Sequence, residues 1–92
     1  MAQKRITARI TGRVQMVMFR DFAKRKARGL GLVGFVENNA DGSVKIVAEG
    51  GEEALRKFVG LLREGPVFAK VENIIVDWEE PAFGFTSFKI IY

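Results

Sequence analysis

Ninety-two residues, 48% hydrophobic and 28% charged, suit a single globular domain over residues 1–92, and folding should bury roughly 64% of the extended chain's surface. Zero Cys and zero His exclude disulfides, thiolate or imidazole metal sites, thiol nucleophiles and His-based triads, and Ser43 and Ser87 have no base to activate them. The net charge of +4 is unevenly spread: nine basic groups against one acid, Asp21, occupy residues 1–28, which points to an anionic partner or to a solvated basic helix face.

Ile6–Thr11 alternates Ile6, Ala8 and Ile10 against Thr7, Arg9 and Thr11, the rhythm of a half-buried strand. The Arg-rich start therefore reads as integral structure and not as a transit peptide. Gly12–Phe19 breaks that rhythm. From Phe19 the spacing turns helical, with Phe19, Phe22, Ala23, Ala27 and Leu30 on one face and Lys24, Arg25 and Arg28 largely on the other. Gly29 and Gly31 end this helix. Leu32–Asn38 is a second strand, and Asn39-Ala40-Asp41-Gly42 a hairpin turn. Ser43–Glu49 alternates Val44, Ile46 and Ala48 against Ser43, Lys45, Val47 and Glu49. Gly50-Gly51 opens a second helix, with Glu52 and Glu53 in its first turn and Leu55, Phe58, Val59 and Leu62 as its buried stripe. Gly65-Pro66 stops it. Val71–Trp78 is a long strand with Ile74, Val76 and Trp78 on one face; Pro81–Gly84 turns the chain, and Phe85–Tyr92 is a last strand. No apolar run reaches the ~18 residues of a membrane span.

The order β-α-β-β-α-β-β predicts an α+β fold. It is a ferredoxin-like βαββαβ sandwich with an extra C-terminal strand, two helices packing on one face of a mainly antiparallel sheet. Such a fold supports many functions, so the site must carry the argument.

The first strand-to-helix junction runs Gly12-Arg13-Val14-Gln15-Met16-Val17-Met18-Phe19-Arg20. A loop entering a helix N-terminus presents free N–H groups, and the helix dipole favours an anion there. Arg20 falls beside those amides, and its guanidinium can fork two phosphate oxygens. The plainer reading is an arginine that decorates a helix end. Asn38 ends the second strand, which a right-handed β-α-β crossover sets in the same sheet as the first. Its carboxamide can donate to one atom and accept from a water. The plainer reading makes Asn38 and Asn39 turn formers.

The chain resembles the acylphosphatase family from Ile6 to Tyr92. The family's first signature, G-R-V-Q-G-V-x-F/Y-R, is similar to Gly12–Arg20, and its second, G-W/F/Y-V-x-N-x-x-D-G-x-V, to Gly34–Val44. Ala48-Glu49-Gly50 and Gly65-Pro66 with Ala69-Lys70-Val71 resemble further family stretches. The resemblance implies hydrolysis of the carboxyl-phosphate bond of acyl phosphates, with no metal and no organic cofactor. It assigns phosphate binding to Arg20 and to the amides of Gln15, Met16, Val17, Met18, Phe19 and Arg20. It assigns Asn38 to positioning the attacking water. The partners so implied are a small-molecule acyl phosphate and inorganic phosphate or other anions, with no nucleic acid and no membrane. A cytoplasmic monomer is expected.

The sequence departs from the family where Met16 stands at a position that usually holds Gly; position 18, here Met, is often Gly in bacterial relatives. A cradle of consecutive amides often needs φ > 0, which Gly adopts freely. A Met there either carries a strain of about 1–2 kcal/mol or shifts the loop. The competing expectation is accordingly an impaired relative that binds phosphate or serves as an interaction domain. RNA recognition motifs share the element order but need stacking aromatics on central strands, and Ser43–Glu49 holds none. Met16 and Met18 could offer thioethers to Cu(I), but no Cys or His completes such a site, and packing is their default role.

Overall fold

The computed structural model describes residues 2–92. Its elements are β1 (Gln3–Arg13), α1 (Phe19–Gly29), β2 (Val33–Asn38), β3 (Val44–Gly51), α2 (Glu52–Glu64), β4 (Lys70–Glu79) and β5 (Phe88–Ile91). The strands form one sheet in the order β4-β1-β3-β2-β5. Neighbours pair antiparallel except β2 and β5, which run parallel, so the sheet is mixed. The ferredoxin-like α+β architecture and the added strand are as the pattern predicts. No helix among the described residues is long and apolar enough to cross a membrane.

The alternations translate directly into a core. Ile6, Ala8 and Ile10 of β1 and Val44, Ile46 and Ala48 of β3 point to one face, where Phe19, Ala23 and Ala27 of α1 and Leu55, Phe58 and Leu62 of α2 cover them. Ile74, Val76 and Trp78 of β4 pair with Ile10, Ala8 and Ile6. Trp78 lies at the sheet edge and is half covered by the Arg56 guanidinium, 4.8 Å from its ring centre.

Strand direction places the site. β1 and β2 are both antiparallel to β3, and β5 is parallel to β2, so β1, β2 and β5 run the same way. Their C-terminal ends meet at one end of the sheet, where α1 begins. The register of β1 against β4 slips between Thr11 and Gly12. Gly12 has φ 124°, and a Cβ there would overlap the Lys70 carbonyl oxygen. Only glycine fits this bulge, which re-aims the chain out of the sheet and toward α1.

The last strand is shorter than expected. Phe85–Ser87 are not strand; β5 begins at Phe88. Because β4 and β5 lie on opposite edges, residues 80–87 must cross the sheet, and they do so over the face that carries no helices. Phe85 packs edge-on against Phe35, with ring centres 6.0 Å apart. Phe88 lies on the helix side against Phe58. Phe85 and Phe88 thus serve opposite faces of the sheet. This strap also explains why Val47 and Glu49, on the face expected to be open, are buried.

Glu49 holds the strap. The carboxylate is only 3% exposed as a residue, and it accepts hydrogen bonds from the backbone N–H groups of Ala82 and Phe83, each at 3.0 Å. Arg5 lies 3.5 Å away. Removing one partner from a buried ion pair leaves an uncompensated charge and unpaired amides. We therefore predict that Glu49→Ala costs about 3 kcal/mol in urea unfolding. A loss below about 0.5 kcal/mol, the level of ordinary surface changes, would show that the strap is held by other contacts.

Candidate active site

The loop between β1 and α1 is nailed down at alternate residues. Val14 and Phe19 are buried, and Val17 packs against the core. Gln15 points across the end of the sheet, and its Nε2 donates to the carbonyls of Asn39 at 2.8 Å and Ser43 at 2.9 Å. Met16 and Met18 are the residues left pointing out, 99% and 73% exposed. Both have left-handed backbones, with φ 60° and 61°. Of the two outcomes expected for methionine here, strain and displacement, the chain takes strain: each left-handed non-Gly residue costs roughly 1–2 kcal/mol.

Met18 is also the residue before α1, and no side chain caps the helix. The first helical bond runs from the Phe22 N–H to the Met18 carbonyl at 3.0 Å. The first-turn amides of Phe19, Arg20 and Asp21 therefore have no intrahelical acceptor, and the positive end of the helix dipole is unscreened by a cap.

In front of this helix start lies a cavity of about 130 Å³ lined by Val14, Met16, Met18, Phe19, Arg20, Asp21, Asn38, Ile90 and Tyr92. The expected residues Met16, Met18, Phe19, Arg20 and Asn38 thus meet around one space. Gln15 and Val17 do not line it; their side chains anchor the loop from behind. Arg20 is half-buried and stacks on the Tyr92 ring, 4.9 Å from its centre. Among the described residues no carboxylate forms an ion pair with Arg20, whereas neighbouring Asp21 is paired with Arg25 at 2.9 Å. The Asn38 Oδ1 is buried without a hydrogen-bond partner among the described residues. A buried acceptor left unpaired is costly, which makes it a marker of function.

The turn after Asn38 is rigid. Asn39 Nδ2 donates to Ser43 Oγ at 2.8 Å, and Asp41 Oδ1 accepts from the Ser43 N–H at 2.9 Å and from the Ser43 hydroxyl at 2.6 Å. These bonds and the Arg9 guanidinium hold the Asp41 carboxyl far below the usual carboxylate range. Asn39 is the turn former of the asparagine pair; Asn38 is not engaged in the turn. Sequence reasoning missed Val14, Asp21, Ile90 and Tyr92. Asp21 was accessible as the acid beside Arg20. Ile90 and Tyr92 reach the cavity only because β5 lies next to β2, which no local spacing reveals. No group of three or more carboxylates among the described residues is placed to hold a metal ion.

A family model for acylphosphatase matches residues 6–90, almost the whole of this fold and all of its cavity except Tyr92. The chain belongs to the acylphosphatase family. It is 48% identical over 88 residues to an acylphosphatase of Salinibacter ruber, covering 96% of this chain and 93% of the relative. The acylphosphatase of Thermus thermophilus is also 48% identical, over 94% of this chain and 97% of its own. Among solved structures, the acylphosphatase from Bacillus subtilis superposes with a TM-score of 0.94 at 39% identity, covering 97% of this chain and 99% of that one. As an acylphosphatase the chain is a hydrolase of the carboxyl-phosphate bond in acyl phosphates.

The strained loop makes a stability prediction. Met16→Gly relieves a left-handed backbone but adds freedom to the unfolded chain, for a net gain of about 1 kcal/mol. In a domain of this size that raises Tm by about 5 °C in thermal unfolding. An unchanged or lower Tm would show that the loop accepts Met16 without strain.

Proposed function

We propose that Arg20 and the amides of residues 15–20 hold the phosphoryl group of an acyl phosphate while Asn38 orients the attacking water. The observation that carries this reading is the meeting, in one cavity at the start of α1, of an arginine without an ion-pair partner and a buried carboxamide oxygen without a hydrogen-bond partner among the described residues. The helix start and the guanidinium supply fixed positive charge for the equatorial phosphoryl oxygens. Asn38 Oδ1 accepts one hydrogen from water and so aims the oxygen lone pair at phosphorus. Water oxygen bonds to phosphorus as the bond from phosphorus to the acyl oxygen breaks, and the carboxylate leaves with the electron pair. The water's proton passes to a phosphate oxygen of the substrate. A carboxylate is a good leaving group, so positioning and charge stabilisation of a loose transition state suffice.

The impaired-relative reading is not favoured. The left-handed backbone at Met16 and Met18 is the conformation glycine would adopt, so the methionines do not turn the loop away. A metal-independent monomer over residues 1–92 is part of the same proposal. Turnover of acetyl phosphate that persists in EDTA, by a species of monomer size, supports it; turnover abolished by EDTA overturns the metal-independent mechanism.

Two substitutions divide the roles. Arg20→Ala should lower kcat/KM by about 10²-fold or more and weaken inhibition by phosphate. Arg20→Lys should recover little, since an ammonium does not reproduce the planar fork. Near-normal turnover by folded Arg20→Ala protein would remove Arg20 from the mechanism. Asn38→Ala should lower kcat with little change in phosphate inhibition, because its hydrogen bond matters chiefly in the transition state. A raised KM at constant kcat would make Asn38 a substrate-binding group instead.

A further inference from the structure

Two methionines in left-handed conformations at the mouth of one cavity call for a physical reason. Backbone outliers of this kind persist where the surrounding structure enforces them, and they cluster at functional sites. Here the enforcement comes from Val14, Val17 and Phe19, which are tucked into or against the core on either side. Strain alone does not give a side chain a role, but position does. Met16 and Met18 both line the cavity that holds Arg20 and Asn38, and both are otherwise in solvent. With Tyr92 they are the exposed members of the lining and form its rim, while buried Val14 and Phe19 and half-buried Arg20, Asn38 and Ile90 lie deeper.

We infer that Met16 and Met18 form the binding surface for the acyl group, and that these two side chains strengthen the site's preference for a bulky apolar acyl group, of aromatic size, over acetyl. The inference rests on the proposed placement of phosphate at Arg20. The acyl carbon is joined to phosphorus through one oxygen, so a phosphoryl group on the cavity floor leaves the acyl group no place but the rim. Methionine is unbranched and polarisable, makes favourable contacts with aromatic rings, and adapts to varied shapes. Apolar surface that is exposed in the free protein becomes covered when such an acyl group binds, which is favourable in proportion to the area removed from water.

The test compares benzoyl phosphate with acetyl phosphate as the ratio of their kcat/KM values. The variants are Met16→Gln with Met18→Gln, which keeps length and the β-carbon but makes the rim polar, and Met16→Gly with Met18→Gly, which removes it. The parent should favour benzoyl phosphate, and both double variants should reduce that preference by about tenfold, equivalent to about 1.4 kcal/mol. A ratio that stays the same in both variants overturns the rim. A fall only in the glycine pair also overturns it, since backbone freedom would then be the cause. Calorimetric binding of benzoylphosphonate and acetylphosphonate, which cannot be hydrolysed, reads the same ratio without turnover. Protein that hydrolyses neither substrate yet prefers benzoylphosphonate in a Met16- and Met18-dependent way would overturn the hydrolytic reading and uphold the rim. Equal binding of both phosphonates by parent and variants would overturn the rim.

Discussion

One carboxamide joins the two halves of the proposed active site. Gln15 lies in the loop that leads to Arg20, and both carbonyls it binds, those of Asn39 and Ser43, belong to the turn that follows Asn38. The loop and the hairpin come from different parts of the chain and are linked through separate strands, so without these bonds each could settle on its own. With them, the helix start that carries the guanidinium and the strand end that carries the carboxamide have one fixed separation. The bulge at Gly12 sends the loop in the right direction, and the Asp41–Ser43 bonds keep the acceptors still. Preorganisation of this kind is what the proposed direct attack of water requires.

The charge of the chain proves to be local in its effect. The basic first third of the sequence is mostly engaged elsewhere: Arg9 with Asp41, Arg5 with Glu49, Lys4 with Glu80 and Arg25 with Asp21. Arg28 donates from Nε and Nη2 to the Phe88 carbonyl and fastens α1 to β5. These groups balance acids or bind a backbone carbonyl. Arg20 differs because its neighbours are an aromatic ring and uncapped amides. A surface attraction falls off with salt, whereas a half-buried guanidinium beside aligned N–H groups is screened much less.

Much of the fold was legible because hydrophobic period and turn chemistry agreed along most of the chain. Ile6-Ala8-Ile10, the Phe19-to-Ala27 face and the Asn39-to-Gly42 turn each lie where their pattern places them. Local features placed Arg20 at a helix start and Asn38 at a strand end, but the roles proposed for them came from the family resemblance and not from spacing. The strap over residues 80–87 was not. Its path depends on where β4 and β5 lie in the sheet, and its anchor, Glu49, looked like an ordinary outward-facing residue in an alternating strand. The outer wall of the cavity was hidden for the same reason: Ile90 and Tyr92 are brought to Asn38 by the pairing of β5 with β2, strands that are neighbours in the sheet but far apart in sequence.

That pairing has a consequence for how the protein is made. β5 joins the sheet by matching Gly34 with Phe88 across almost the whole intervening chain, and the closure entropy of so long a loop must be met before any contact repays it. The β2–β3 hairpin closes locally, and it already contains Asn38, Ser43 and the acceptors for Gln15. A chain emerging from synthesis can therefore assemble the proposed phosphate-binding elements while residues 88–92 are still to come. The outer wall of the cavity arrives after them, so a partly folded molecule has the proposed anion site without the ring that stacks on Arg20.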